Sequence, residues 1–164
     1  MSEGLEVRRA EPEELETVVG VLSECARWLL GQGIRQWPDP FPTERVAPLL
    51  EKGSFYLARL DGEVVATFAL LWSDPAFWGE RQPDAGYVHA VAVRREYAGR
   101  GIGRGLIDWA AEQAVAAGRD YLRLDCLSEN AALCAYYEGM GFAPQGEVEI
   151  DDFRATLFER PCPA

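Results

Sequence analysis

Gly99-Arg100-Gly101-Ile102-Gly103-Arg104-Gly105 sets four glycines in seven residues between an apolar run, Tyr87–Val93, and an amphipathic run that begins at Ile102. The order reads strand, glycine loop, helix. Closely spaced glycines let backbone N–H groups approach a ligand without Cβ interference, and the first N–H groups and dipole of the new helix point the same way. Arg94, Arg95, Arg100 and Arg104 gather here against Glu96 alone, in a chain whose formal net charge is −11. This local reversal of sign supports an anion site more strongly than the glycines do. The stretch reads as a diphosphate cradle.

Spacing decides which cradle it is. A Walker loop needs Gly-Lys-Ser/Thr at its end, whereas Gly103 is followed by Arg104-Gly105. The dinucleotide fingerprint Gly-x-Gly-x-x-Gly fails as well: counted from Gly99 its third place holds Arg104, and from Gly101 it holds Leu106. Asp125, about 20 residues on, stands where a ribose-binding acid would sit, so an NAD(P)-dependent enzyme remains as a lesser alternative.

The loop resembles that of the GNAT superfamily of N-acetyltransferases, whose signature is similar to Gln/Arg-x-x-Gly-x-Gly/Ala after a strand with a Val-x-Val-like ending. Here Ala98-Gly99-Arg100-Gly101-Ile102-Gly103 follows Val91-Ala92-Val93. Ala98 departs from the usual Gln or Arg, which touches a side-chain contact at the loop entrance but not the backbone donors. Downstream, Asn130 and Tyr136-Tyr137-Glu138-Gly139-Met140-Gly141-Phe142 resemble the family's Asn…Leu-Tyr-Glu-x-x-Gly-Phe segment. The two motifs stand in the family's order and separation, and the resemblance covers roughly Tyr87 to Phe142.

The bulk properties are compatible with this. With 164 residues, 48% of them apolar, the chain is expected to form a single domain over 1–164, with the CoA-binding core at about 87–142. The acidic balance argues against nucleic acid and anionic membrane surfaces as partners. No apolar run is long enough to span a bilayer, and Met1-Ser2-Glu3-Gly4 is unlike a signal peptide. Cys25, Cys126, Cys134 and Cys162 show no Cys-x-x-Cys pairing and His89 is the single histidine. Reduced thiols, a cytoplasmic location and no metal are therefore expected.

Periodicity lays out the elements. Leu5–Arg9 reads as a strand; Glu11-Pro12-Glu13-Glu14 opens a helix that Gly31 stops. Thr43–Glu51 reads as a helix capped by Thr43. Phe55–Leu60 and Val64–Trp72 flank the hairpin signal Asp61-Gly62, and the second strand is apolar on both parities, as in a strand covered on both faces. Ser73–Ala85 reads as a loop. After the glycine loop come a helix ending at Gly118, a strand at Tyr121–Cys126, a helix at Asn130–Met140 and two strands, Gln145–Ile150 and Phe153–Arg160. The order βααββ-βαβα-ββ predicts an α/β (α+β mixed) fold: a twisted mixed sheet of about six to seven strands with helices on both faces, which the resemblance also implies.

The resemblance further implies roles. The glycine-loop strand and the next strand splay apart, and pantetheine lies along the edge Val91-Ala92-Val93. Gly99, Arg100, Gly101, Ile102, Gly103 and Arg104 hold the pyrophosphate, with Arg94, Arg95 or Arg100 near the adenosine phosphate. The reaction is acetyl transfer from acetyl-CoA to a primary amine, of a small molecule or a peptide, by direct attack in a ternary complex; homodimers are common in the family. A lysine-like amine of pKa about 10.4 is free in only about one molecule per thousand at pH 7, so a proton acceptor is needed. His89 suits by its ordinary pKa; Asp125 suits if burial raises it. Each also has an ordinary reading, His89 as a sheet residue and Asp125 as a helix cap. Tyr137 matches the family's acid for the leaving thiolate. Asn130 either bonds the pantetheine arm or caps its helix. Cys126 and Cys134 offer a covalent route, and a non-catalytic CoA-binding module stands as the alternative to an enzyme. Of the aromatic residues on the acceptor side, Trp37, Phe41 and Trp78 are expected on an exposed wall and Trp28 and Trp72 in the core.

Overall fold

The computed structural model describes residues 4–163; the acidic start Met1-Ser2-Glu3 lies outside them. Seven strands form one sheet in the order β1-β2-β3-β4-β5-β7-β6: β1 Leu5–Arg9, β2 Phe55–Leu60, β3 Glu63–Leu71, β4 Ala85–Val93, β5 Tyr121–Leu127, β6 Ala143–Ile150 and β7 Phe153–Pro161. The helices are α1 Leu15–Gly31, α2 Thr43–Glu51, α3 Pro75–Trp78, α4 Ile102–Ala116 and α5 Ala131–Gly139. The sheet is mixed: β1/β2, β2/β3, β5/β7 and β6/β7 are antiparallel, and β4/β5 is parallel. The contacts fall into two compact units, Met1–Leu70 with Ala90–Asp108, and Leu71–His89 with Trp109–Ala164.

In the first unit, Asp61 (φ 50°) and Gly62 (φ 83°) both take positive φ, the conformation of a tight hairpin turn between β2 and β3. Val65–Leu70 are all buried, as apolarity on both parities requires. The α1 stripe Val18, Val21, Leu22 and Cys25 packs with Val46 and Leu50 of α2 and with Phe55 and Leu57 of β2. One expectation fails here. Thr43 does not cap α2: it lies inside the helix, Pro42 takes the cap position, and no side chain bonds there. The φ of −66° at Pro42 sets the entry in its place.

The second unit is organised around Arg123, whose side chain is 4% exposed. Its Nε donates to Glu159 (2.7 Å), and its Nη1 donates to Asp84 (3.2 Å) and to the Tyr87 hydroxyl (2.8 Å). Trp78, Tyr87 and Tyr121 turn ring faces to the guanidinium at 5.2, 5.7 and 5.4 Å. A buried charge persists only with such partners. Within the stretch read as a loop, Pro75–Trp78 forms the short helix α3, started by proline at its first turn.

Candidate active site

In the first unit, Val91–Val93 end β4 after a break at Ala90, whose φ of 54° is rare for a residue with a Cβ. Arg94 N–H donates to Val65 O (2.8 Å), and a 3₁₀ turn, Arg95–Tyr97, leads into the loop. Gly99 and Gly101 both sit at φ 78°, which explains glycine at these two places. A Cβ added to either meets nothing within 4 Å, so the space before the loop is open. Gly105 N–H donates to Gly101 O (3.1 Å). The amides of Ile102, Gly103 and Arg104 precede that bond, where an α-helix supplies no partner from its own backbone. Ile102, 1% exposed, anchors the helix start in the core, and Arg104 is exposed. This chemistry fits a diphosphate.

The neighbouring arginines are already engaged. Arg94 faces Glu24 of α1 at 3.6 Å, and Arg95 donates its N–H to the same carboxylate (2.8 Å) while its guanidinium lies 3.6 Å from the Trp28 ring. Arg100 lies over Tyr97 at 5.1 Å. The Cys25 thiol donates to Val93 O (3.1 Å), and burial pushes its pKa up to about 11. Its contact with the strand edge is therefore that of a neutral thiol.

In the second unit, parallel pairing runs from Ala85↔Tyr121 to Val88↔Leu124. His89 and Asp125 are the next residues on the two strands, and their side chains meet: Nδ1 lies 3.6 Å from Asp125 Oδ1. On the other side of the ring, Nε2 lies 2.9 Å from Asp74 Oδ2, an oblique approach that leaves neither atom an aligned hydrogen bond. The three side chains are 21%, 12% and 8% exposed. Burial lowers the His89 pKa, but the contact with Asp74 and the charge of Asp125 more than offset this, so the net shift is upward. Burial lifts Asp125 to about 6, against the pull of His89 and helped by the charge of Asp74. Among the described residues, these three are the group of His, Cys and acidic side chains whose ligand atoms gather within 4.8 Å. The acids address opposite nitrogens of one ring, which suits the movement of a proton. Asp125 is thus no helix cap.

Asn130 does cap α5, accepting from Leu133 N–H at 3.2 Å, and is 6% exposed. Tyr137 packs between Tyr136 (5.5 Å) and Phe142 (5.8 Å) and is itself 6% exposed, whereas Tyr136 is 43% exposed. Burial pushes the Tyr137 phenol well above its ordinary range. It stays protonated, and the close match in acidity with a thiol is absent in this state. Cys134 donates to Cys126 Sγ at 3.3 Å, and burial raises Cys126 strongly, so Cys126 supplies no ready thiolate.

The aromatic expectation inverts. Phe41 and Trp78 are core residues at 7% and 5% exposure, while Trp28 and Trp72 are 41% and 39% exposed. Phe41 is drawn in because its N–H donates to Ser23 Oγ of α1 (2.8 Å), and Trp78 because it forms part of the box around Arg123. Trp37 is half-buried against the first unit's core, 5.8 Å from Phe41. The exposed tryptophans instead carry arginines, Arg95 on Trp28 and Arg119 on Trp72.

Comparison with known proteins agrees with the loop and the downstream motif. The Acetyltransferase (GNAT) family model matches residues 22–142. The uncharacterized N-acetyltransferase YesJ of Bacillus subtilis (strain 168) is 30% identical over 161 residues, 93% of this chain and 87% of that protein. A GNAT-family acetyltransferase from Listeria monocytogenes superposes with a TM-score of 0.79 at 24% identity, covering 96% of this chain and 94% of that one. The PaiA N-acetyltransferase from Thermoplasma acidophilum, solved in complex with coenzyme A, gives 0.72 at 18% identity over 98% and 99%. No helix among the described residues is long and apolar enough to cross a membrane. Sequence and architecture lead to one assignment: this chain belongs to the GNAT acetyltransferase family.

Proposed function

We propose that the protein transfers an acetyl group from acetyl-CoA to a primary amine, of a small molecule or a peptide, by direct attack in a ternary complex. The observation that carries this reading beyond CoA binding is the half-buried imidazole set between two carboxylates, which a binding module does not need. Acetyl-CoA brings an activated thioester. The amides of Gly99 to Arg104 hold its diphosphate, with Arg100 and Arg104 adding charge, and the edge Val91-Ala92-Val93 receives the pantetheine amides. Asn130, while capping α5, adds a polar contact for that arm.

The protonated amine carries a handicap of roughly 4–5 kcal/mol at pH 7. His89 and Asp125 take up its proton; both hold protons more tightly than their ordinary values. The freed nitrogen attacks the acyl carbon, the carbon–sulfur bond breaks, and Tyr137 gives its proton to the departing sulfur while the second proton of the attacking nitrogen, lost as the amide forms, restores the phenol. A panel of amines assayed for thiol release from acetyl-CoA tests the proposal, alongside thermal shifts with acetyl-CoA, CoA and NAD. A ligand at 100 times its Kd stabilises by about 2.7 kcal/mol. Thiol release with an amine is the expected result. Stabilisation by CoA without turnover on any amine would favour the binding module, and silence with both CoA forms would end both readings.

A further inference from the structure

Asp74 lies outside both motifs. It stands at the N-cap of α3, the place where an aspartate ordinarily accepts an N–H of the first turn, yet its carboxylate makes no capping bond. The residue is 9% exposed, and Oδ2 faces His89 Nε2 at 2.9 Å. A carboxylate that forgoes its helix and buries Oδ2 against an imidazole must draw its compensation at that oxygen from the imidazole.

We propose that Asp74 is a positioning residue for the acceptor of the amine's proton: its charge keeps a proton on His89 Nε2 and leaves Nδ1 toward Asp125, so the three side chains act as one unit. A neutral imidazole can carry its proton on either nitrogen, and the neighbour of one nitrogen decides the state of the other. The oblique contact is sufficient, because attraction between charges does not need an aligned donor. The Phe77 ring, 6.1 Å from that of His89, adds apolar cover on the α3 side. Asp74, from the segment before α3, and Asp125, from β5, are the charged groups acting on His89. The 3.6 Å between Nδ1 and Asp125 is too long for a direct hydrogen bond, and it is there that the incoming proton is shared. Asp74 raises the proton affinity of both His89 and Asp125, so loss of its charge moves both in the same direction.

The catalytic consequence rests on the proposed acetyltransferase reading; the electrostatic one does not. His89 is the only histidine, so its ring gives one set of nitrogen and carbon signals that can be followed over pH in the full-length protein without substrate. Wild type should titrate above about 6.5 and carry its neutral proton on Nε2. In Asp74→Asn the midpoint should fall by about one pH unit, and Asp74→Glu should restore it. In turnover, Asp74→Asn should lower kcat about 10- to 100-fold, less than the 10²–10⁴ of a whole general base, with KM for acetyl-CoA unchanged. The rising limb of its pH profile should move to lower pH. An unchanged midpoint and tautomer in Asp74→Asn would overturn the proposal, even if the variant melts earlier. Absence of wild-type turnover on every amine would count against the acetyltransferase reading alone, because the resonance titration still reports on Asp74.

Discussion

Replacing Asp125 by asparagine removes a charge and keeps the shape. The carboxylate stands 3.6 Å from His89 Nδ1, and burial lifts its pKa from 3.8 to about 6. That rise strengthens it as a proton acceptor by about 3 kcal/mol. At pH 7 about nine in ten such groups are still ionised, so the acceptor is available as well as strong. Asp125→Asn should therefore lower kcat by about 10²–10⁴ while acetyl-CoA binding changes little, since the glycine loop is untouched. Asp125 works deprotonated, so wild-type rates should climb as pH rises through about 6. The variant retains only His89, whose proton affinity falls when the neighbouring charge is removed, so any remaining limb reports His89 and lies below that imidazole's wild-type midpoint. Thiol release measured at saturating acetyl-CoA and amine, across about pH 5 to 9, reads both quantities. A kcat within about twofold of wild type with the same limb would refute a role for Asp125. If the limb survives in Asp125→Asn but vanishes in His89→Ala, the acceptor is His89.

Tyr137→Phe keeps the ring between Tyr136 and Phe142, so CoA binding and thermal stability should hold while turnover slows by about 10²–10⁴; an unchanged rate removes Tyr137 from the mechanism. Arg123→Met strands the carboxylates of Glu159 and Asp84 beside an apolar box. It should cost about 3–5 kcal/mol, or roughly 6–20 °C in Tm for a chain of this length; calorimetry showing a loss of under about 2 °C would contradict the central place given to this cation.

Local chemistry was legible in the sequence where the neighbours along the chain decide the outcome. Gly99 and Gly101 adopt the positive φ that only glycine takes freely, Asp61-Gly62 makes the hairpin turn, and β3 is buried on both parities as its composition demands. Burial set by distant partners was not legible. Proline-rich surroundings made Phe41 and Trp78 look exposed, but Ser23 of α1 and Arg123 of β5 pull them inward. Trp28 and Trp72 look like core by size, yet each carries an arginine on its face. His89 and Asp125 were singled out by their pKa logic. Their meeting follows from a parallel register that spacing alone does not give, and Asp74 reaches them from the residue before α3. Ala90 offers no cue either, because its positive φ falls on a residue with a Cβ.

The central claim, that the amides of Gly99 to Arg104 grip the diphosphate of acetyl-CoA, is met most directly by titrating acetyl-CoA into wild type and Gly101→Asp in a calorimeter. Aspartate tolerates the φ of 78° better than most residues, so the fold should hold, while its side chain and charge enter the open space before the loop. Saturable binding by wild type and a loss of at least about 100-fold in the folded variant, roughly 2.7 kcal/mol, is the expected result. Equal affinity in the two proteins would contradict the account.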